Sequence, residues 1–342
     1  MSTNISDLKN IAGFIGACLV DSPPQPGARV SVLDTAQAAG WPAGVDCRQG
    51  SVLDAALLAD SLLGVEQVFH LAAIPHLWIR DKRRYGTVNV GGTEAVLQAA
   101  GAAGVRRLVH CSTEAVLAGT ADASGCVDGS RDPRLDDMPG PYSRSKLLAE
   151  QAVLAAAARG LPAVVVSPTA PVGPGDASLT PPTQMLLDFL NGRHPAYLDC
   201  LLNLADVRDV ARGHLLAAAR GTPGRRYLLA GRDLRLSELL HELQRLTGLP
   251  MATRRIPWWL AWSAAAVGEF VADRITGRPP AATLNGVRLV RRPLRYRADI
   301  AERELGWRCR PLAESLSDAI EDLRRRGLLT RQPQLPPAPA AG

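Results

Sequence analysis

Lysine is nearly missing from this sequence. Of its 39 basic residues only Lys9, Lys82 and Lys146 are lysines, so the chain is basic through arginine. Aromatic residues are also few, at 4% of the 342 positions. The six cysteines, at 18, 47, 111, 126, 200 and 309, make no Cys-x-x-Cys pair and have no histidines at ligand spacing. That pattern excludes a disulfide scaffold and a zinc site, and it fits a reducing, cytoplasmic setting. No secretory leader is expected, and no apolar run is long enough to span a bilayer. The nearest candidate, 258–272, is rich in Trp and Ala but short and interrupted by Glu269. A packed helix is expected there, with peripheral membrane contact as the alternative. No internal repeat is present.

The net charge of +6 comes from arginines spread over the whole length. Short clusters at 80–84, 291–297 and 324–326 read as solvated faces, so nucleic acid is not an expected partner. A small anionic ligand such as a nucleotide would gain from the balance.

What is there is an alternation. Segments 29–33 (RVSVL), 45–50, 67–73 (QVFHLAA), 107–112 (RLVHCS) and 163–167 (AVVVS) read as strands, and 55–63, 87–103 and 142–159 as helices between them. This rhythm predicts an α/β fold built on a doubly wound parallel sheet. The polar stretch 2–10 reads poorly as a buried strand, and Pro23, Pro24 and Pro26 stop early the helix that follows Gly16. After Pro168 the pattern loosens into Pro/Gly loops and shorter helices, with Asp209 as N-cap of a helix over 210–219, a strand at 226–230, and a helix from Ser237 closed by Gly248. The expected division is 1–170 for the sheet domain, with a degenerate first strand, and 171–330 for a smaller lobe. Within that lobe, 203–231 is expected to pack back on the sheet, and 331–342 reads as a disordered tail.

Ligands of open α/β sheets bind beyond the carboxyl ends of the strands. The chemistry-bearing residues fall there. Tyr142 and Lys146 lie four apart and so share one helical face, where an ammonium lowers the pKa of a neighbouring phenol and fits it for proton transfer. Thr113, at a strand end, can hydrogen-bond a substrate oxygen beside that phenol, whereas Ser112 points to the other face. The turn Gly13-Phe14-Ile15-Gly16 enters a helix and offers backbone N–H groups to a pyrophosphate. Asp34 ends the second strand, where a carboxylate accepts from both ribose hydroxyls and repels a 2′-phosphate, which points to NAD, with NADP the alternative. His70 and His110 lie in apolar strands and read as core groups.

Together these residues resemble the extended short-chain dehydrogenase/reductase superfamily. The carriers are GFIG at 13–16, VFHLAA at 68–73, NVGGT at 89–93, CST at 111–113, YSRSK at 142–146 and PVGPGD at 171–176. A narrower resemblance is to hopanoid-associated sugar epimerases and dihydroflavonol 4-reductases. It rests on LDDMPGPYSRSKLLAEQAVL at 135–154, DFLNGRHPAY at 188–197, NLADVRDVARGHLLA at 203–217 and LNGVRLVRR at 284–292.

The resemblance implies a Rossmann domain with a smaller C-terminal substrate-binding lobe, and a catalytic set of Thr113, Tyr142 and Lys146 supported by Asn89. It implies that Gly13, Phe14, Ile15, Gly16, Asp34, Leu71, Ala72, Ala73, Tyr142, Lys146 and Pro168 hold NAD. On the substrate side it implies Trp78, Ser167, Thr169 and Asn203, no metal, and a homodimer. The activity implied is a sugar-nucleotide epimerase or dehydratase. The alternatives are a ketone reductase of dihydroflavonol-, sterol- or terpenoid-like substrates, and a cofactor-impaired binding protein of the same fold. The substrate is correspondingly a nucleotide sugar or a polycyclic alcohol or ketone. Lys9 and Asn10 stand where the family places Thr-Gly, and Ser51 replaces a common Asp.

Overall fold

The computed structural model describes residues 6–9, 13–21, 29–36, 44–291 and 293–332. The expectations for Asn10, for the prolines at 23–26 and for most of the 331–342 tail lie outside these residues. The chain lays down β1 (Ser6–Lys9), α1 (Phe14–Asp21), β2 (Arg29–Asp34), β3 (Val45–Gln49), α2 (Ala55–Ser61), β4 (Gln67–His70), α3 (Gly92–Ala103), β5 (Arg107–Cys111), β6 (Cys126–Val127), α4 (Pro141–Ala158) and β7 (Ala163–Pro168). It continues with β8 (Ala170–Val172), α5 (Pro181–Leu190), β9 (Ala196–Tyr197), β10 (Leu201–Asp206), α6 (Val207–Arg220), β11 (Arg226–Leu229), β12 (Arg232–Arg235) and α7 (Leu236–Thr247). The last elements are β13 (Arg254–Arg255), α8 (Trp258–Val271), α9 (Leu284–Leu289), β14 (Arg295–Tyr296), α10 (Asp299–Leu305) and α11 (Leu312–Arg325).

The main sheet runs β11-β7-β5-β4-β1-β2-β3, and every neighbouring pair is parallel. This is the doubly wound Rossmann order expected from the alternation, with the strand order reversing beside β1. Strand β7, with helices on both faces, is buried at all six of its positions. One apolar cluster lies on the α6 face, with Val109, Val164, Val166 and Val210. A second lies under α2 and α3, with Leu58, Val96, Leu108 and Val165.

The polar segment before Asn10, which reads poorly as a strand, occupies an interior position of this sheet, between β4 and β2. Leu8 lies opposite Ser31 of β2 and Val68 of β4. A central strand has its backbone groups paired on both sides, and that pairing holds whatever the side chains are. Helix starts also move. The 210–219 helix begins one turn earlier, because Asp206 rather than Asp209 caps it by accepting from the Arg208 N–H at 2.8 Å. Asp209 instead holds Arg310 through two bonds of 2.9 Å. The helix expected over 87–103 is π-helical over Tyr85–Gly91 before α3 begins.

A three-stranded sheet, β12-β10-β8, forms the second layer. Leu186, Leu204, Leu239 and Leu316 pack there in a cluster of their own, each burial contributing about 1.5–3 kcal/mol. β8 follows β7 directly, β10 runs into α6, and β11 runs into β12, so the chain passes between the two sheets three times. All six cysteines are free.

Candidate active site

Helix α4 carries the phenol and the ammonium. It starts at Pro141, where the missing N–H is no loss and φ is already helical. Gly140 precedes it, and a Cβ there would meet the Asn285 side chain, so a larger residue would have to displace that side chain of α9. Tyr142 is half-buried and Lys146 is buried. Thr113, just beyond β5, is buried beside Tyr142. The structure therefore brings Thr113, Tyr142 and Lys146 to one place beyond the carboxyl ends of the strands.

Their electrostatics differ from the sequence expectation. Burial raises the Tyr142 pKa above its ordinary value, the negative charge of Glu114 adds to the rise, and the neighbouring Thr113 hydroxyl offsets only part of it. The Lys146 ammonium donates to the Cys111 carbonyl at 2.7 Å, and burial lowers its own pKa. The lysine-lowered phenol expected from the four-residue spacing is thus replaced by a phenol that stays protonated at neutral pH. Desolvation outweighs the neighbouring cation, whose ammonium is turned to a backbone oxygen.

Asn89 lies on the π-helical segment, a conformation that recurs at functional sites. It is buried; its side-chain oxygen accepts from Ile74 N–H at 2.7 Å and its amide donates to Ser145 Oγ at 2.9 Å. Ser145 donates in turn to the Tyr142 carbonyl at 2.7 Å. Asn89 thus ties the loop after β4 to the turn of α4 that holds the tyrosine. Thr93 donates to the Asn89 carbonyl at 2.7 Å and contacts His70 Nε2 at 2.9 Å. His70 and His110 stand side by side in register with rings 5.2 Å apart. Burial holds His70 neutral, with its pKa lowered to about 3, and lowers His110 as well.

Two residues escaped the sequence reading. Ser145 could have been found three positions after the tyrosine on the same face. Glu114 could not, because a carboxyl next to a strand-end threonine gives no periodic signal. Its side chain accepts from Thr113 Oγ1 at 2.8 Å, and burial raises its pKa. Glu114→Gln removes the charge that raises the Tyr142 pKa. The expected outcome is a downward shift in the pH at which the Tyr142 phenol ionises, read by ultraviolet difference titration against the Tyr142→Phe protein. An unmoved titration would show that this charge does not reach the phenol.

On the cofactor side, Asp34 ends β2, buried, and accepts from Ala36 N–H at 2.8 Å. Gly13 stands at the start of α1, where a Cβ would meet nothing within 4 Å. Phe14 belongs to the core and Ile15 packs on the α6-face cluster, so what they offer toward a ligand is backbone. Leu71 packs on the same cluster, Ala72 is buried under α2 and α3, and Ala73 is half-buried. Pro168 closes β7, opposite Leu229. A carboxylate at the end of β2, a glycine at the start of α1 and the ammonium of Lys146 suit a dinucleotide: ribose acceptor, pyrophosphate turn and second ribose donor.

The four substrate-side residues are more scattered. Trp78 is buried and donates from Nε1 to Asp273 at 2.9 Å, which pins the loop after β4 to the segment following α8. Ser167 is fully buried and its hydroxyl has no hydrogen-bond partner among the described residues. Thr169 and Asn203 turn their polar atoms to Gly231, whose N–H donates to Asn203 Oδ1 at 2.7 Å and to Thr169 Oγ1 at 3.3 Å. Both are spent on a turn where a Cβ at Gly231 would lie 1.9 Å from the Leu204 carbonyl.

A protein of Synechocystis sp. provisionally named a dihydroflavonol 4-reductase is 35% identical, with 94% of each chain covered. Sterol demethylase protein B of Methylococcus capsulatus is 31% identical over 93% of this chain and 97% of its own. Among solved structures, MoeE5 in complex with UDP-glucuronic acid and NAD superimposes with a TM-score of 0.75 at 25% identity, covering 94% of this chain and all of that one. The family model for NAD-dependent epimerases and dehydratases matches residues 11–230, and the chain belongs to that family.

Proposed function

We propose that this protein is an NAD(P)-dependent reductase that interconverts a ketone and a secondary alcohol on an apolar, polycyclic or isoprenoid substrate. The observation that carries the proposal is the placement of the Tyr142 phenol beside buried Thr113 and one helical turn from Lys146, with burial and the charge of Glu114 both favouring its protonated form. A phenol in that state is a proton donor, which is what a carbonyl oxygen needs as it becomes an alkoxide. Thr113 orients that oxygen, and Lys146, Asp34 and the Gly13 turn hold the dinucleotide, which supplies the hydride when bound. Asn89 and Ser145 position the tyrosine. The names of the two relatives, a dihydroflavonol reductase and a sterol demethylase component, support an apolar polycyclic substrate. The alternative is the sugar-nucleotide epimerase that the sequence led to first, through the narrower resemblance to hopanoid-associated sugar epimerases, and it is favoured by the fit to MoeE5 in its UDP-glucuronic acid and NAD complex.

The two differ in redox balance. Purified protein is assayed for loss of NADH or NADPH absorbance with sterol, flavanone and isoprenoid ketones, and for inversion of UDP-sugars without net redox. Ketone-dependent cofactor oxidation is the expected result. UDP-sugar inversion with no net oxidation would replace the reductase with the epimerase. Asp34 predicts NADH over NADPH.

A further inference from the structure

Helix α8 is built the wrong way round for a helix of a water-soluble surface. Of the nine large hydrophobic side chains exposed among the described residues, six lie between 259 and 275: Trp259, Leu260, Trp262, Val267, Phe270 and Ile275. Their exposures run from 39% for Trp262 to 72% for Ile275, so these are open side chains rather than a partly covered core edge. The buried side of the helix is small, with Ala261 and Ala265 packed on Val287. Successive helical positions are 100° apart, which puts Trp259, Trp262, Val267 and Phe270 on one contiguous face. The only acid on the helix, Glu269, turns inward and accepts from Leu284 N–H at 2.7 Å. A patch of this kind marks an interaction surface.

The ends of the patch are cationic. Arg254 and Arg255 precede α8, Arg274 and Arg278 follow it, and all four are exposed. Asp199 pairs with Arg255 at 3.4 Å, and the Arg291 guanidinium stacks 4.7 Å from the Trp258 ring. Tryptophans with arginines at both ends of an apolar face match the interfacial layer of a bilayer, where rings sit at headgroup depth and guanidinium groups meet lipid phosphates. At 14 residues α8 is too short to cross, and no helix among the described residues is long and apolar enough to do so. A second copy of the chain is a poorer occupant. A two-fold contact through α8 sets equivalent surfaces against each other, so it would bring arginine-rich ends into the same interface.

We propose that α8 and the π-helical turn after it, Ala272–Thr276, form a docking face that lies on the surface of an anionic lipid bilayer. The face is coupled to the catalytic end of the sheet. Asp273 holds Trp78 and Lys82, at 2.9 and 2.6 Å, and the loop they belong to leads into Tyr85, whose ring meets that of Tyr142 edge-on at 6.3 Å. Docking therefore sets the Tyr142 side of the molecule close to the lipid. The inference depends only on this surface and stands whether the enzyme reduces ketones or inverts sugars.

The test reads binding and not turnover. Full-length protein is pelleted with vesicles of phosphatidylcholine alone, or of phosphatidylcholine with phosphatidylglycerol. It is expected to partition at least about tenfold more strongly into the anionic vesicles, as roughly 1 kcal/mol per engaged arginine implies. Trp259→Ser with Phe270→Ser should lower that partitioning by about tenfold or more, through lost apolar burial. Arg274→Glu with Arg278→Glu should remove the preference for anionic lipid. All four side chains are exposed, so an unchanged circular dichroism spectrum is expected and is checked first. Absence of pelleting with anionic vesicles overturns the proposal, as does partitioning that both pairs of substitutions leave unchanged. A concentration-dependent dimer, or a protein partner, that is lost in the Trp259/Phe270 variant while vesicles are ignored assigns the face to that occupant instead.

Discussion

Tyr142→Phe is expected to lower kcat by about 10²- to 10⁴-fold and to leave dinucleotide binding and the unfolding midpoint nearly unchanged. The substitution removes one oxygen and keeps the ring, so the edge contact with Tyr85 survives. What is lost is the phenolic proton beside Thr113. Lys146 cannot stand in for it, because its ammonium is engaged by the Cys111 carbonyl and lies deeper. Thr113 cannot either: its hydroxyl donates to Glu114 and accepts from Ala115 N–H at 3.3 Å, which leaves it an orienting group. Dinucleotide titration of the variant, followed by tryptophan fluorescence, and single-turnover kinetics separate the two effects. Retained turnover would refute the assignment of Tyr142. Lost binding together with lost turnover would place the defect in the cofactor site instead.

The parts of the site that could be read from the sequence are those whose partners are close along the chain. Tyr142 and Lys146 share a helical face by spacing alone, and Thr113 stands out by ending a buried strand. The alternation of strands and helices likewise gave the parallel sheet. Sequence reasoning missed what depends on sheet order and on local electrostatics. Spacing placed a cation near the phenol but could not show that burial and Glu114 would dominate its pKa. Nor could it show that Ser6–Lys9, polar as it is, would take an interior position by backbone pairing on both sides. Thr169 and Asn203 look like loop polar groups free for substrate, yet 28 residues or more separate them from the Gly231 turn that uses them. The apolar character of α8 was visible as composition. Only the fold shows that its large side chains face outward.

A second substitution far from the phenol is expected to have the largest effect on stability. Glu150 lies two turns beyond Tyr142 on α4, fully buried, and its carboxylate accepts from Arg226 Nε at 2.6 Å and from the Ser112 hydroxyl. Arg226 sits on β11 and donates onward to the Gly129 carbonyl at 3.1 Å and the Arg131 carbonyl at 3.3 Å. The pair therefore clamps α4 to β5 next to Thr113, and to the edge strand β11. Arg226→Ala removes the one cation hydrogen-bonded to this buried carboxylate among the described residues, which costs about 3–5 kcal/mol. The expected result is a matching loss in the free energy of urea unfolding. Replacing both members, with Arg226→Met and Glu150→Leu, should recover much of it, because a well-packed apolar pair avoids the desolvation cost. The recovered protein should still turn over more slowly than the native chain, since the apolar pair no longer accepts the Ser112 hydroxyl that fixes Thr113 against Tyr142. A double variant as unstable as Arg226→Ala would show that shape, and not charge, holds α4 in place.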